Sequence, residues 1–173
     1  MQIFFFPTEI TLLIIFLLWP TFQLSASSLC VIIGDGSFSK ESWLYRSKKW
    51  ERDGELFNTL FKIRRWKRFL PDGASIIPGA FRKKHLGSFS EENLEKFLVE
   101  SRRAELGHWL AIIPFWVFGF FGPPIIILYM LIYALIINLP CILAQRYNRP
   151  RIIKILEDKE RMKEKNYELH QPI

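Results

Sequence analysis

IIILYMLIYALIINLPCILA, Ile125 to Ala144, runs for twenty residues without a charge. At about 1.5 Å of rise per residue such a helix covers about 30 Å, the thickness of a bilayer's hydrocarbon core. On its N-terminal side Gly122-Pro123-Pro124 cannot continue a helix. Before that break lies a second apolar stretch, Ala104 to Phe121, of eighteen residues. At about 27 Å it barely crosses a membrane. The two stretches therefore read as a hairpin whose first arm is either spanning or re-entrant. A further run, Ile10 to Ile33, holds Thr11, Gln23 and a serine cluster but no charge in 24 residues, enough for one more span.

Composition agrees with this reading. The 173 residues are 50% hydrophobic and 16% aromatic, yet carry 24 Lys/Arg against 17 Asp/Glu, for a net charge of +7. Apolar and charged residues are segregated along the chain, which an ordinary soluble domain does not show. Three His and two Cys, the latter inside apolar runs, exclude a disulfide framework and a Cys-rich zinc module. The expected architecture is an all-α membrane protein: residues 1–33 an N-terminal transmembrane helix, 34–103 a basic interfacial region, 104–145 a helical hairpin and 146–173 a charged tail.

Ser25-Ala26-Ser27 resembles a cleavage site, so a signal peptide is the rival reading of the first run. No Lys or Arg precedes that run, and the segment after it, Gly34 to Arg103, holds sixteen Lys/Arg. Translocating so basic a loop opposes the positive-inside tendency. Arg146, Arg149 and Arg151 follow the hairpin on its other side. The basic loop and the C-terminus are thus expected in the cytoplasm, with the chain multi-pass in the membrane.

Within the middle region, 54–70 is expected to be one helix. Leu56, Phe57, Leu60, Phe61, Ile63 and Leu70 give it a broad apolar face, and Lys62, Arg64, Arg65, Lys67 and Arg68 crowd its second half. Trp50 and Trp66 would sit at headgroup depth, over anionic lipid. Nucleic acid is not an expected partner of a chain anchored at both ends in a membrane. Asp72-Gly73 and Pro78-Gly79 are turn signals closing this unit.

Ser90-Glu91-Glu92-Asn93 is a helix start, with a Ser cap and acids in the first turn. At 100° per residue, Leu94, Phe97, Leu98, Ser101, Glu105, His108 and Ile112 fall on one face, and Arg103 falls opposite, towards headgroups. Glu105 and His108, three residues apart, are neighbours. The carboxylate can then hold the imidazole in one tautomer as a general base. An interfacial pair that merely solvates the helix end would have the same spacing. Desolvated ionisable groups in membranes, however, are costly and usually functional.

On the last stretch Asn138, Gln145 and Arg149 share a stripe with Ala134 and Cys141, provided that Pro140 and Pro150 leave the helix regular. Asn138, about 10 Å deeper than Gln145, is expected to make an interhelical hydrogen bond. Asn138, Gln145, Arg146, Asn148 and Arg149 are candidates for substrate binding. Either guanidinium could grip a phosphate or carboxylate, or stabilise an oxyanion.

Missing motifs narrow the chemistry. There is no Gly-x-Ser-x-Gly elbow, no phosphate loop, no His followed five residues later by Asp, and no Asp-x-Asp. Glu105-x-x-His108 has the spacing of half a di-iron ligand set, but no second Glu-x-x-His exists, and no metal is expected.

The runs Arg103-Ala104-Glu105-Leu106-Gly107-His108-Trp109 and Gln145-Arg146-Tyr147-Asn148-Arg149-Pro150-Arg151, with Pro114, Tyr133-Ala134, Asn138 and Pro140 between them, resemble the glycosyl-4,4'-diaponeurosporenoate acyltransferases. The resemblance extends through Lys49-Trp50-Glu51, Gly54, Trp66-Lys67, Asp72-Gly73 and the Arg82 to Leu86 stretch. It implies transfer of a fatty acyl chain to a sugar hydroxyl of a C30 carotenoid glycoside, the last step of a staphyloxanthin-like pathway. The expected mechanism is direct transfer from an acyl thioester co-substrate, with no bound cofactor. His108, oriented by Glu105, would take the hydroxyl proton, as imidazole suits working pH. Expected partners are membrane lipid, the glycosylated carotenoid or another glycolipid, the acyl donor and other pathway enzymes. A non-catalytic membrane subunit docking such enzymes is the competing reading, with the polar cluster as an interhelical lock.

Overall fold

The computed structural model describes residues 2–39, 42–70 and 90–169. Its helices are α1 (Thr8–Ile32), α2 (Gly36–Ser39), α3 (Glu55–Phe61), α4 (Ile63–Trp66), α5 (Glu91–Ile112) and α6 (Ile125–Leu169). Segments of 3-10 helix lie at Lys49–Glu51, Lys67–Phe69 and Ile113–Phe120, and no strand occurs among the described residues. Asp72-Gly73, Pro78-Gly79 and the Arg82 to Leu86 stretch lie outside the described residues.

Two described helices, α1 and α6, are long and apolar enough to cross a membrane. Ile10, Leu13, Phe16 and Leu17 on α1, and Leu128, Ile132 and Ile136 on α6, are exposed. An apolar exterior of that extent is unfavourable in water and neutral in hydrocarbon, so it is compatible with a membrane protein.

The arm between them differs from the expected apolar helix. The α-helix ends at Ile112, and Ile113–Phe120 is 3-10, with Pro114 near its start. Pro114 has no N–H to offer the Leu110 carbonyl, so the α-helical ladder fails there. A 3-10 helix rises about 2.0 Å per residue against about 1.5 Å, so the change of helix type lengthens the arm by about 4 Å.

The chain divides into two compact units, Met1–Ser37 with Arg102–Leu143, and Phe38–Ser101 with Ala144–Ile173. In the first unit Trp19, Ile112, Phe118, Ala134 and Ile142 form the core. Trp19 stacks on Phe118 with ring centroids 5.0 Å apart, and its indole N–H points at Met130 Sδ, 3.3 Å away. Helix α1 is thereby packed into this unit, with Ala26 and Cys30 also buried. Arg103, expected to face headgroups, is instead paired with Asp35.

In the second unit the predicted start of α5 is present, since Asn93 N donates to Ser90 Oγ at 3.3 Å. Leu94, Phe97 and Leu98 pack on Ile152. Lys163 donates to Glu91 at 2.6 Å, and this bond holds the Glu91 carboxyl below the ordinary carboxylate range. A depressed carboxyl contributes stability above its unfolded value and loses it as pH falls through the folded one.

One sequence expectation fails in this unit. Residues 54–70 are not one helix, because Lys62 adopts a left-handed conformation with φ 52 between α3 and α4. The break is stabilised locally. Trp66 Nε1 donates to the Phe61 carbonyl at 2.7 Å, and Asn58 Oδ1 accepts from Arg64 N at 3.3 Å. Trp66 is thus engaged with the chain, whereas Trp50 is exposed. The condition set on the Asn138, Gln145 and Arg149 stripe is met, since α6 passes through Pro140 and Pro150 as far as Leu169. The boundaries placed at 103/104 and 145/146 fall inside α5 and α6. Burial of Ala144, Tyr147, Arg149 and Ile152 supplies the packing that offsets the missing proline hydrogen bond.

Pro150 also leaves the Arg146 carbonyl without its helical donor, and the Gly54 turn packs there. A Cβ on Gly54 would lie 2.9 Å from Tyr147 Cα and 3.0 Å from the Arg146 oxygen, and its φ is +83. Gly54→Ala should therefore cost about 1–3 kcal/mol of stability, from backbone strain and clash together. A lowered thermal midpoint of the purified protein is the expected result, and an unchanged one would contradict this close approach.

Candidate functional site

The stripe read from α5 is an inward face. Leu94, Phe97, Leu98, Ser101, Glu105 and Ile112 are all buried, and His108 is half-buried. In the first unit this face carries Glu105 and His108. Glu105 is 0% exposed, and its Oε1 accepts from Trp109 Nε1 at 3.4 Å. His108 Nδ1 lies 2.9 Å from Asn138 Oδ1.

Asn138 is the hub. Its Nδ2 donates to the Ala134 carbonyl at 3.0 Å, which turns Oδ1 towards His108, and the same Oδ1 accepts from Gln23 Nε2 at 3.2 Å. Residues of α1, α5 and α6 therefore meet at one amide. A carboxamide oxygen only accepts, so the shared hydrogen sits on His108 Nδ1. That assigns the neutral imidazole's lone pair to Nε2, the atom that can take a proton. Asn138 is the interhelical bond expected from the sequence, and it also occupies the tautomer-fixing position at Nδ1.

Gln23 was not among the sequence candidates. Its only signal there is that it is a lone amide in an uncharged span, and such residues find hydrogen-bond partners on neighbouring helices.

Gln145, Arg146, Asn148 and Arg149 belong to the second unit. Arg146 donates from Nη1 to Glu51 Oε1 at 2.5 Å and from Nη2 to the Leu44 carbonyl at 2.8 Å. Glu51, 1% exposed, is thereby paired. Arg149, 2% exposed, donates from Nη1 to the Tyr45 carbonyl at 2.8 Å and from Nη2 to Ser101 O and Oγ at 3.4 Å. Both guanidiniums pin the loop containing Leu44 and Tyr45 to α6. Free anion-holding forks, as expected from the sequence, are not what this geometry displays. Asn148 Oδ1 accepts from Lys67 Nζ at 2.6 Å. Gln145 Oε1 is buried and accepts no hydrogen bond among the described residues.

Comparisons with known proteins align with the region that holds these residues. The family described as glycosyl-4,4'-diaponeurosporenoate acyltransferase matches residues 41–158. A protein of that name from Staphylococcus haemolyticus (strain JCSC1435) is 38% identical over 134 residues, 78% of this chain and 78% of the relative. Proteins of the same name from Staphylococcus aureus strains bovine RF122 / ET3-1 and USA300 are each 33% identical over 148 residues, 86% of this chain and 89% of theirs. No solved structure matches. The chain, an acyltransferase, belongs to the glycosyl-4,4'-diaponeurosporenoate acyltransferase family.

Proposed function

We propose that this acyltransferase esterifies a sugar hydroxyl of glycosyl-4,4'-diaponeurosporenoate with a fatty acyl chain from a thioester donor. The observation that supports the reading is the His108–Asn138 bond, which puts the hydrogen on Nδ1 and the basic lone pair on Nε2. In the step, Nε2 takes the hydroxyl proton while the sugar oxygen attacks the thioester carbonyl. The tetrahedral oxyanion collapses with cleavage of the C–S bond, and the departing thiolate takes the proton from the imidazolium. Atoms and charges balance without a bound cofactor. Buried Glu105 lies one turn before His108 and would favour the imidazolium that forms transiently.

The test is the purified full chain with acyl thioester and the glycosylated carotenoid. Formation of the acylated pigment is expected, and its absence alongside acylation of a different glycolipid would overturn the acceptor.

The same reading places the protein in the cell membrane with its basic segments cytoplasmic, following the positive-inside tendency. Lys159→Cys in a Cys30→Ser, Cys141→Ser background should resist an impermeant thiol reagent in intact cells and react after permeabilisation. Labelling of intact cells would reverse the orientation.

A further inference from the structure

In the second unit, charges gather around a ring that no catalytic role uses. Tyr147 is 1% exposed. Lys67 Nζ sits 4.8 Å from its centroid and the Arg151 guanidinium 3.6 Å from it. Exposed Arg64, three residues before Lys67, adds its charge beside that of Lys67. Glu55 is paired with Arg151, whereas Lys67 and Arg64 have no acidic partner among the described residues. The cluster therefore carries an excess of positive charge.

Attraction to a charged bilayer surface does not require this arrangement. Exposed lysines and arginines achieve it at no desolvation cost. Lys67 instead turns inward, donating to Asn148 Oδ1 at 2.6 Å, where only one of its three N–H groups is used among the described residues. Burial, then Arg151 and Arg64, push its ammonium below the ordinary lysine value. A cation held in a desolvated place beside two others is unfavourable unless an anion joins them. The groups on hand suit one kind of anion, since Lys67 keeps two N–H groups for a phosphate while Arg151, held by the Tyr147 carbonyl and Glu55, adds its charge.

We propose that Lys67 and Arg151, gathered around Tyr147, together with Arg64 beside Lys67, bind a phosphate group. Two sources carry that chemistry, the nucleotide phosphates of a coenzyme A thioester and the headgroup of an anionic phospholipid. The first rests on the acyl-transfer reading above, and the second does not.

The experiment uses the full chain in phosphatidylcholine nanodiscs. Equilibrium binding of coenzyme A is measured for wild type, Lys67→Met, Arg64→Gln and His108→Ala. A donor site predicts that Lys67→Met weakens binding about tenfold, the loss of one charge-assisted hydrogen bond, and that Arg64→Gln weakens it several-fold. His108→Ala should bind as wild type, which keeps failure of the catalytic reading separate from failure of this one. In the second arm, phosphatidylglycerol is added to the discs without coenzyme A. A headgroup site predicts a higher thermal midpoint for wild type and none of that gain for Lys67→Met. Should Lys67→Met not fold, exposed Arg64→Gln decides both arms. If neither coenzyme A nor phosphatidylglycerol responds to these substitutions, the cluster is a packing contact and the proposal is overturned.

Discussion

His108→Ala is expected to lower acyl transfer by about 10² to 10⁴, the usual contribution of a general base, with the protein still present in the membrane at normal abundance. Its side chain is only half-buried and its partner Asn138 keeps two other hydrogen bonds, to Ala134 and from Gln23, so the fold does not depend on it. The effect should be graded outward from the imidazole. Asn138→Leu removes the acceptor at Nδ1 and lets the ring choose the unproductive tautomer, whereas Asn138→Asp keeps an acceptor there and should retain more activity. Gln23→Leu, one bond further out, should do least. Glu105→Gln keeps the geometry but cannot favour the imidazolium, so a partial loss is expected. The measurement is initial rate with acyl thioester at matched amounts of purified protein. Full activity of His108→Ala would make the residue structural.

The part of this site that was legible in the sequence follows from helix geometry. A rotation of 100° per residue is fixed by the backbone, and the α5 stripe from Leu94 to Ile112 turns out to be the buried face. The Ser90 cap is equally local, one side chain meeting an N–H three residues on. What escaped the reading depends on contacts distant in sequence. Asn138 finds His108 thirty residues away and Gln23 115 residues away, and no periodicity encodes which amide will serve which ring. The break at Lys62 is invisible because nothing in its composition forbids a helix. It exists because Trp66 and Asn58 satisfy the groups that the break releases. Pro150 left the regularity of α6 open in sequence, because the packing that outweighs its lost hydrogen bond comes from distant segments, and the Arg146 carbonyl it frees becomes the floor on which Gly54 rests. Charge was the hardest property to assign. Arg146 and Arg149 look in sequence like the anion binders of the run 145–151, while the structure engages them with carbonyls and Glu51 and leaves Lys67 and Arg64 without an acidic partner among the described residues.

That exchange of roles makes Arg149→Lys the most informative substitution in the second unit. The guanidinium reaches Tyr45 O with one nitrogen and Ser101 O and Oγ with the other, from a position 2% exposed. A lysine carries the same charge at a single point and cannot span both partners. Loss of at least one hydrogen bond to a charged group, with a backbone carbonyl left buried and unfilled, should cost about 3 kcal/mol. Arg146→Lys should cost less, because an ammonium can still neutralise Glu51 and only the Leu44 carbonyl is abandoned. Arg64→Lys or Arg68→Lys, on exposed positions, should be near neutral. The expected signature is a lower thermal midpoint and lower abundance of Arg149→Lys, with the donor KM of the surviving folded protein unchanged. A framework arginine alters how much enzyme there is, whereas a substrate-holding arginine alters how the enzyme meets its substrate. Wild-type melting together with a donor KM raised tenfold would therefore return Arg149 to the substrate, as the sequence first suggested, and would require it to release Tyr45 and Ser101 during turnover.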